Sequence, residues 1–252
     1  MRLKTTVLTV PLLALVLGAC ASRGPAFENM DQETMFLYGM ERLQDRDWSG
    51  AISTFERFTL TFPAHARVPE ARFRIGQAYA GRGEHVTAAM EFDRLANDFP
   101  AGPWADDARY EVCAAYYELS PAPPRDQQYT VTAVDHCRSL TLYYPDSEYV
   151  PRAEAMLDDL INKLAEKNFD TAEYYFRRRA YHSANIYYEG VAADFPQTAW
   201  APRALLRLHE SYTRLGYEQE AEAARERLLR DFPASPQARQ IDGNGVTAES
   251  RS

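Results

Sequence analysis

The sequence predicts an all-α chain built as a stack of about five helix-turn-helix repeats, interrupted by one long helix. Two observations carry this. First, one frame recurs five times: an alanine, ten residues, then an aromatic followed by proline. The instances are Ala51…Phe62-Pro63, Ala88…Phe99-Pro100, Ala133…Tyr144-Pro145, Ala184…Phe195-Pro196 and Ala221…Phe232-Pro233. Seven residues before each aromatic stand Phe55, Phe92, Cys137, Tyr188 and Arg225; four before it stand Phe58, Leu95, Leu140, Val191 and Leu228. Alanine permits close approach of a partner helix, the apolar spacing gives a buried stripe, and proline ends the helix. Second, the period breaks in two places, and each break has a readable cause.

The segments follow in order. Residues 1–19 read as a signal peptide: Arg2 and Lys4 precede an apolar run, Val7 to Leu17, too short to span a bilayer comfortably. The run ends in Leu17-Gly18-Ala19-Cys20. Two small residues before a cysteine resemble the lipobox of bacterial lipoproteins, which implies lipidation of Cys20. Residue 21 is Ala rather than Asp, which in such lipoproteins implies the outer membrane. Residues 20–30 read as a flexible tether, 31–148 as an N-terminal module of three repeats, 149–236 as a long linking helix with two further repeats, and 237–252 as a disordered polar tail.

The small residue of each first helix lies twelve before the alanine anchor in Gly39, Gly76, Ala172 and, less typically, His209. In the third repeat Cys113 holds that place, but Ala133 follows it by twenty residues. The extra eight fall at Ser120-Pro-Ala-Pro-Pro-Arg125, an exposed loop between the two helices. In the fourth repeat the extra residues lie within Tyr149 to Arg179, which has no glycine and one proline, Pro151, in its first turn. That predicts a single helix of about 31 residues, ~45 Å long.

These repeats resemble tetratricopeptide (TPR) repeats, which implies a right-handed superhelix. Such stacks are usually binding scaffolds. With the lipobox and the long helix before the fourth repeat, the chain resembles the BamD (ComL) family, TPR lipoproteins of the outer-membrane β-barrel assembly machinery. The most specific stretch is Lys163-Leu-Ala-Glu-Lys-Asn-Phe-Asp-Thr-Ala-Glu-Tyr-Tyr-Phe-Arg-Arg-Arg179, continuing to Asp194-Phe-Pro196; Arg125-Asp126-Gln127-Gln128 is similar too. The resemblance implies a non-enzymatic adaptor. Its C-terminal repeats would bind the POTRA domains of the barrel insertase. Its N-terminal repeats would be open to unfolded barrel precursors, with other assembly lipoproteins as further partners. The alternative is another periplasmic TPR lipoprotein, pilotin-like or a cell-envelope coordinator. More regular 34-residue repeats or an N-terminal coiled coil would be expected there; these repeats are 37 residues with insertions.

Three sets of residues stand out as sites. Positions 5, 9 and 12 of TPR first helices face the groove; here they include Phe36, Met40, Leu43, Phe73, Gln77, Tyr110 and Tyr117. That composition suits an extended apolar segment. The same aromatics are also what inter-repeat core would use. Arg177, Arg178 and Arg179 form the densest basic cluster, among Tyr174, Tyr175, Tyr181, Tyr187 and Tyr188. They read as a contact for acidic side chains of a partner or as cations favourably placed at a helix C-terminus. Cys113 and Cys137 occupy facing positions of one hairpin. Two buried thiols acting as small hydrophobes are the simpler expectation; a disulfide across the proline-rich insertion is the other.

Charge and motif exclude other classes. The formal net charge is −8, and loss of Arg2 and Lys4 leaves 26 basic against 36 acidic residues. This argues against nucleic acid, which calls for basic patches. The five histidines lack metal-ligand spacing, and no phosphate loop or nucleophile elbow occurs. Asp106-Asp107 and Asp158-Asp159 read as solvated helix faces. No catalytic residue, metal or cofactor is expected.

Overall fold

The computed structural model describes residues 27–249. These residues form a 3-10 turn, Phe27–Asn29, and eleven α-helices. The helices are α1 Gln32–Gln44, α2 Trp48–Thr61, α3 Val68–Gly81, α4 His85–Asp98, α5 Ala105–Leu119 and α6 Gln128–Tyr143. Then come α7 Val150–Arg177, α8 Tyr181–Asp194, α9 Trp200–Leu215, α10 Glu218–Asp231 and α11 Pro236–Glu249. Each helix packs chiefly on its neighbours in the chain, the arrangement of a repeat protein. No described helix is long and apolar enough to cross a membrane.

All five second helices stop in the same way. Phe62, Phe99, Tyr144, Phe195 and Phe232 are the C-caps, with φ between −126° and −133° and ψ between 46° and 60°. Each still donates its N–H to the carbonyl four residues back. The proline that follows disfavours helical backbone at the aromatic, so the helix cannot continue. The residues four and seven places before the cap are buried in each helix except for Arg225.

First helices end in a second recurring turn. Arg46, Gly83, Arg179 and Gly216 have positive φ, at 58°, 78°, 60° and 74°. The next residue's N–H donates to the carbonyl five back: Asp47 to Arg42, Glu84 to Tyr79, Ala180 to Tyr175 and Tyr217 to Tyr212, at 2.9–3.1 Å. This is the left-handed helix cap. It falls five residues before the alanine anchor in repeats 1, 2, 4 and 5. The third repeat departs from it: α5 ends at Leu119, Ser120 is extended, and the proline-rich insertion follows.

Within each hairpin a small residue faces a large one. A Cβ on Gly39 would lie 2.8 Å from the Phe55 ring, and one on Gly76 would lie 2.6 Å from Phe92. Glycine is therefore set by space, not by backbone conformation. In repeat 3 this pair is Cys113 and Cys137, which are disulfide-bonded with their Cα atoms 4.7 Å apart; the simpler expectation of free thiols gives way to the bond. Repeat 4 pairs Ala172 with Tyr188, whose buried hydroxyl donates to Glu173 at 2.6 Å.

The linking helix is 28 residues, not about 31. It stops at Arg177 because Arg179 takes the left-handed cap. Its first half buries Ala153, Leu160 and Ile161 with repeat 3. Its second half buries Ala172 and Phe176 in the C-terminal core. The insertion is strapped to it: Lys163 donates to Ser120 Oγ at 3.0 Å, and Lys167 to the Pro124 carbonyl at 2.9 Å. Gln127 Nε2 holds the loop together through the carbonyls of Ala122, Pro123 and Arg125.

The expected disordered tail, 237–252, is corrected over residues 237–249; residues 250–252 lie outside the described residues. Pro236–Glu249 is helical, with Ala238 and Ile241 buried against the last repeat. Ser235 Oγ accepts the Ala238 N–H at 3.0 Å, an N-cap ahead of a first-turn proline. A helix here covers the apolar end of the stack, as terminal repeats must.

Candidate functional site

The seven groove candidates do not form an open apolar groove. Phe36 is fully buried and Phe73 is 4% exposed. Each is covered from the next repeat. The Arg67 guanidinium lies 3.4 Å from the Phe36 ring centre, and Trp104 lies 4.9 Å from Phe73. Tyr149 stacks on Tyr110 at 4.5 Å, and Trp200 sits 5.1 Å from Phe169. Every covering residue stands four places after a helix-ending proline. The predicted groove aromatics are therefore the seam between repeats, because covering each ring from the next repeat removes its apolar area from water. The remaining candidates are half-buried. Met40 and Leu43 pack on the first core, Gln77 accepts from Arg74 at 2.9 Å, and Tyr117 meets Asp159 at 3.1 Å.

What lies over the seam is charged. Arg67 bridges Glu33 at 3.1 Å and Glu70 at 3.0 Å, and Arg74 reaches Glu70 at 3.2 Å. Arg74 also lies 5.0 Å from the Trp104 ring centre. The C-terminal module repeats the design: Arg207 pairs with Glu173 and Glu210 at 2.8 and 2.7 Å, while Arg203 lies 4.8 Å from Trp200. Between them the pattern turns acidic. Tyr149 donates to Asp107 at 2.8 Å, and this bond together with burial pushes its phenol up to about 12. Burial, then the nearby Asp107 charge, raises the Glu111 carboxyl. Ser147 donates to Asp106 at 2.8 Å. Asp106 and Asp107, expected as solvated faces, thus fasten the turn before α7 onto the first turn of α5. This side is a polar, internally paired surface over an aromatic floor.

Arg177, Arg178 and Arg179 stand together at the end of α7, all exposed. Among the described residues none of the three has an ion-pair partner. Arg178 lies 4.2 Å from the ring centre of exposed Tyr174. Arg214, on α9, donates to Tyr181 at 3.2 Å. Tyr217 completes the edge, 5.8 Å from His182. Tyr175 and Tyr188 belong instead to the core side: Tyr175 stacks on Tyr187 at 5.6 Å and Tyr188 is buried. Exposed arginines beside exposed Tyr174 and Tyr217 rings make this edge basic and aromatic. Cys20 lies outside the described residues.

Residues 28–228 match the YfiO family, described as outer membrane lipoprotein. The chain belongs to this family. The YfiO match spans both modules, the insertion and the linking helix. Outer membrane protein assembly factor BamD of Caulobacter vibrioides is 26% identical over 236 residues, covering 92% of this chain and 77% of that one. The factor of the same name from Neisseria meningitidis serogroup A is 24% identical over 250 residues, covering 93% of each chain. That of Rickettsia prowazekii is 23% identical, covering 93% and 94%. As a YfiO family member the protein is associated with the outer membrane, in agreement with the resemblance drawn from the repeats and the lipobox.

Sequence reasoning missed the residues that cover the seam: Arg67, Trp104, Tyr149 and Trp200. The signal was present as a large side chain four after each of the first four helix-ending prolines.

Proposed function

We propose that this YfiO family protein is an assembly factor for outer membrane β-barrel proteins, acting by binding and positioning rather than by catalysis. The family match across both modules carries this reading, and the relatives' shared name supports it. Cys20 carries the lipid that holds the chain to the periplasmic face of the outer membrane. The edge built from Arg177, Arg178 and Arg214 with Tyr174 contacts acidic side chains of the POTRA-containing insertase. The charged, aromatic-floored face of repeats 1–3 receives the backbone of unfolded barrel precursors. Other assembly lipoproteins share the remaining surface. α7, packed into both modules, fixes the angle between the two activities.

The test is purification of the lipidated protein from its own cells in mild detergent, with identification of stoichiometric partners. A POTRA-containing barrel protein is the expected partner. A secretin or a cell-wall synthase in its place would instead support the alternative of a general envelope scaffold.

A further inference from the structure

Cys113 and Cys137 are both fully buried as well as bonded. Their sulfurs sit in one cluster with Leu140, Leu160 and Ile161, beneath the first half of α7. Met156 Sδ, also on α7, lies 3.7 Å from Cys113 Sγ. Thiol–disulfide exchange requires a third sulfur to reach one of the two bonded sulfurs, so access controls its rate. In the folded repeat that approach is filled by α7. Repeats 1 and 2 close the same place with Gly39 under Phe55 and Gly76 under Phe92, without a crosslink. Repeat 3 carries the eight-residue insertion between its helices and has the bond instead.

We infer that Cys113 and Cys137 are an oxidation site used before α7 docks on repeat 3, so that thiol oxidation precedes the joining of the two modules. The oxidant is a disulfide, borne by a thiol–disulfide oxidoreductase or by a small thiol. One cysteine thiolate attacks the oxidant's disulfide, forms a mixed disulfide and expels one oxidant thiolate. The second cysteine thiolate attacks the first cysteine's Sγ and expels the other. Two protons and two electrons leave the pair, and the oxidant's disulfide becomes two thiols. An outer membrane lipoprotein matures in a compartment that permits this chemistry.

Exchange is reversible, so the route of reduction is the reverse of the route of oxidation. The test uses the oxidised mature chain carrying Cys20→Ser, which leaves Cys113 and Cys137 as its only cysteines. It is treated with dithiothreitol in native buffer and in rising sub-denaturing urea, and free thiols are counted by alkylation and mass. Reduction is expected to be about 100-fold slower than in the unfolded chain or slower still, because it waits for local opening. Its rate should rise with urea in step with amide exchange across residues 153–165. Native-buffer reduction as fast as in the unfolded chain, a rate indifferent to urea, or two alkylatable thiols before any reductant would each overturn the inference.

Discussion

Cys113 and Cys137 stand in the third repeat where Gly76 and Phe92 stand in the second. One hairpin is closed by a covalent bond, the other by a ring pressed onto a glycine. In both, a small first-helix position meets the second-helix position that packs on it.

Gly76→Ala tests the packed version. Alanine is the better helix former by ~1 kcal/mol. Its Cβ would meet a fully buried Phe92 ring at 2.6 Å. Overpacking costs ~1–3 kcal/mol, so net destabilisation is expected in urea unfolding. A variant as stable as the parent or more so would show that the ring yields freely.

Arg179→Gly should do the opposite. Arg179 holds φ at 60°, a conformation that costs a side-chain-bearing residue ~1–2 kcal/mol and costs glycine little. Repeats 2 and 5 already use Gly83 and Gly216 there. The midpoint of urea unfolding should rise, and partner capture should change little if Arg177 and Arg178 make the contact. An unchanged midpoint would contradict the cap assignment.

His136 makes stability depend on pH. Burial holds its imidazole below the ordinary range, and its ring stacks on Tyr116 at 5.1 Å. Asp93 and Asp135 oppose the depression and Arg109 adds to it. The unfolded state binds the proton first, at about pH 6.5. Stability is therefore full above that value and falls as pH drops towards the folded pKa. His136→Gln should flatten the fall in melting temperature between about pH 7 and 5. An equal fall in both proteins would remove His136 as its source.

Glu111 has the opposite sign. Its carboxyl is raised by burial, so the charged form is penalised in the folded protein at neutral pH. Glu111→Gln should raise the melting temperature at pH 7. The advantage should shrink as pH falls through the folded pKa towards the unfolded value, where the parent's carboxyl is neutral too. A gain that persists undiminished at low pH would point to packing instead.

The local parts of this fold were legible because their causes are local. An aromatic before proline ends a helix whatever surrounds it, so all five second helices could be placed from residues such as Phe62-Pro63. The break at Ser120–Arg125 was legible for the same reason. The seam was not, since Arg67 over Phe36 joins residues on α3's approach and α1. Phe36 and Phe73 have a pattern that serves a groove or a core equally well, and only the covering side chain decides. Arg179 was read as one of three equivalent cations, yet its backbone makes it a cap. The last helix was hidden by Gly243 and Gly245, which outweighed the Ser235-Pro236 start and the spacing of Ala238 and Ile241.

The proposed contact is between the arginine edge at the end of α7 and an acidic partner of the outer membrane assembly apparatus. The direct measurement is capture of partners from native membranes by the lipidated protein and by an Arg177→Glu/Arg178→Glu variant, with helicity checked in both. The parent should retain a POTRA-containing barrel protein, the variant should lose it, and raised salt should weaken the parent's capture. Full retention by a folded variant would rule out that contact.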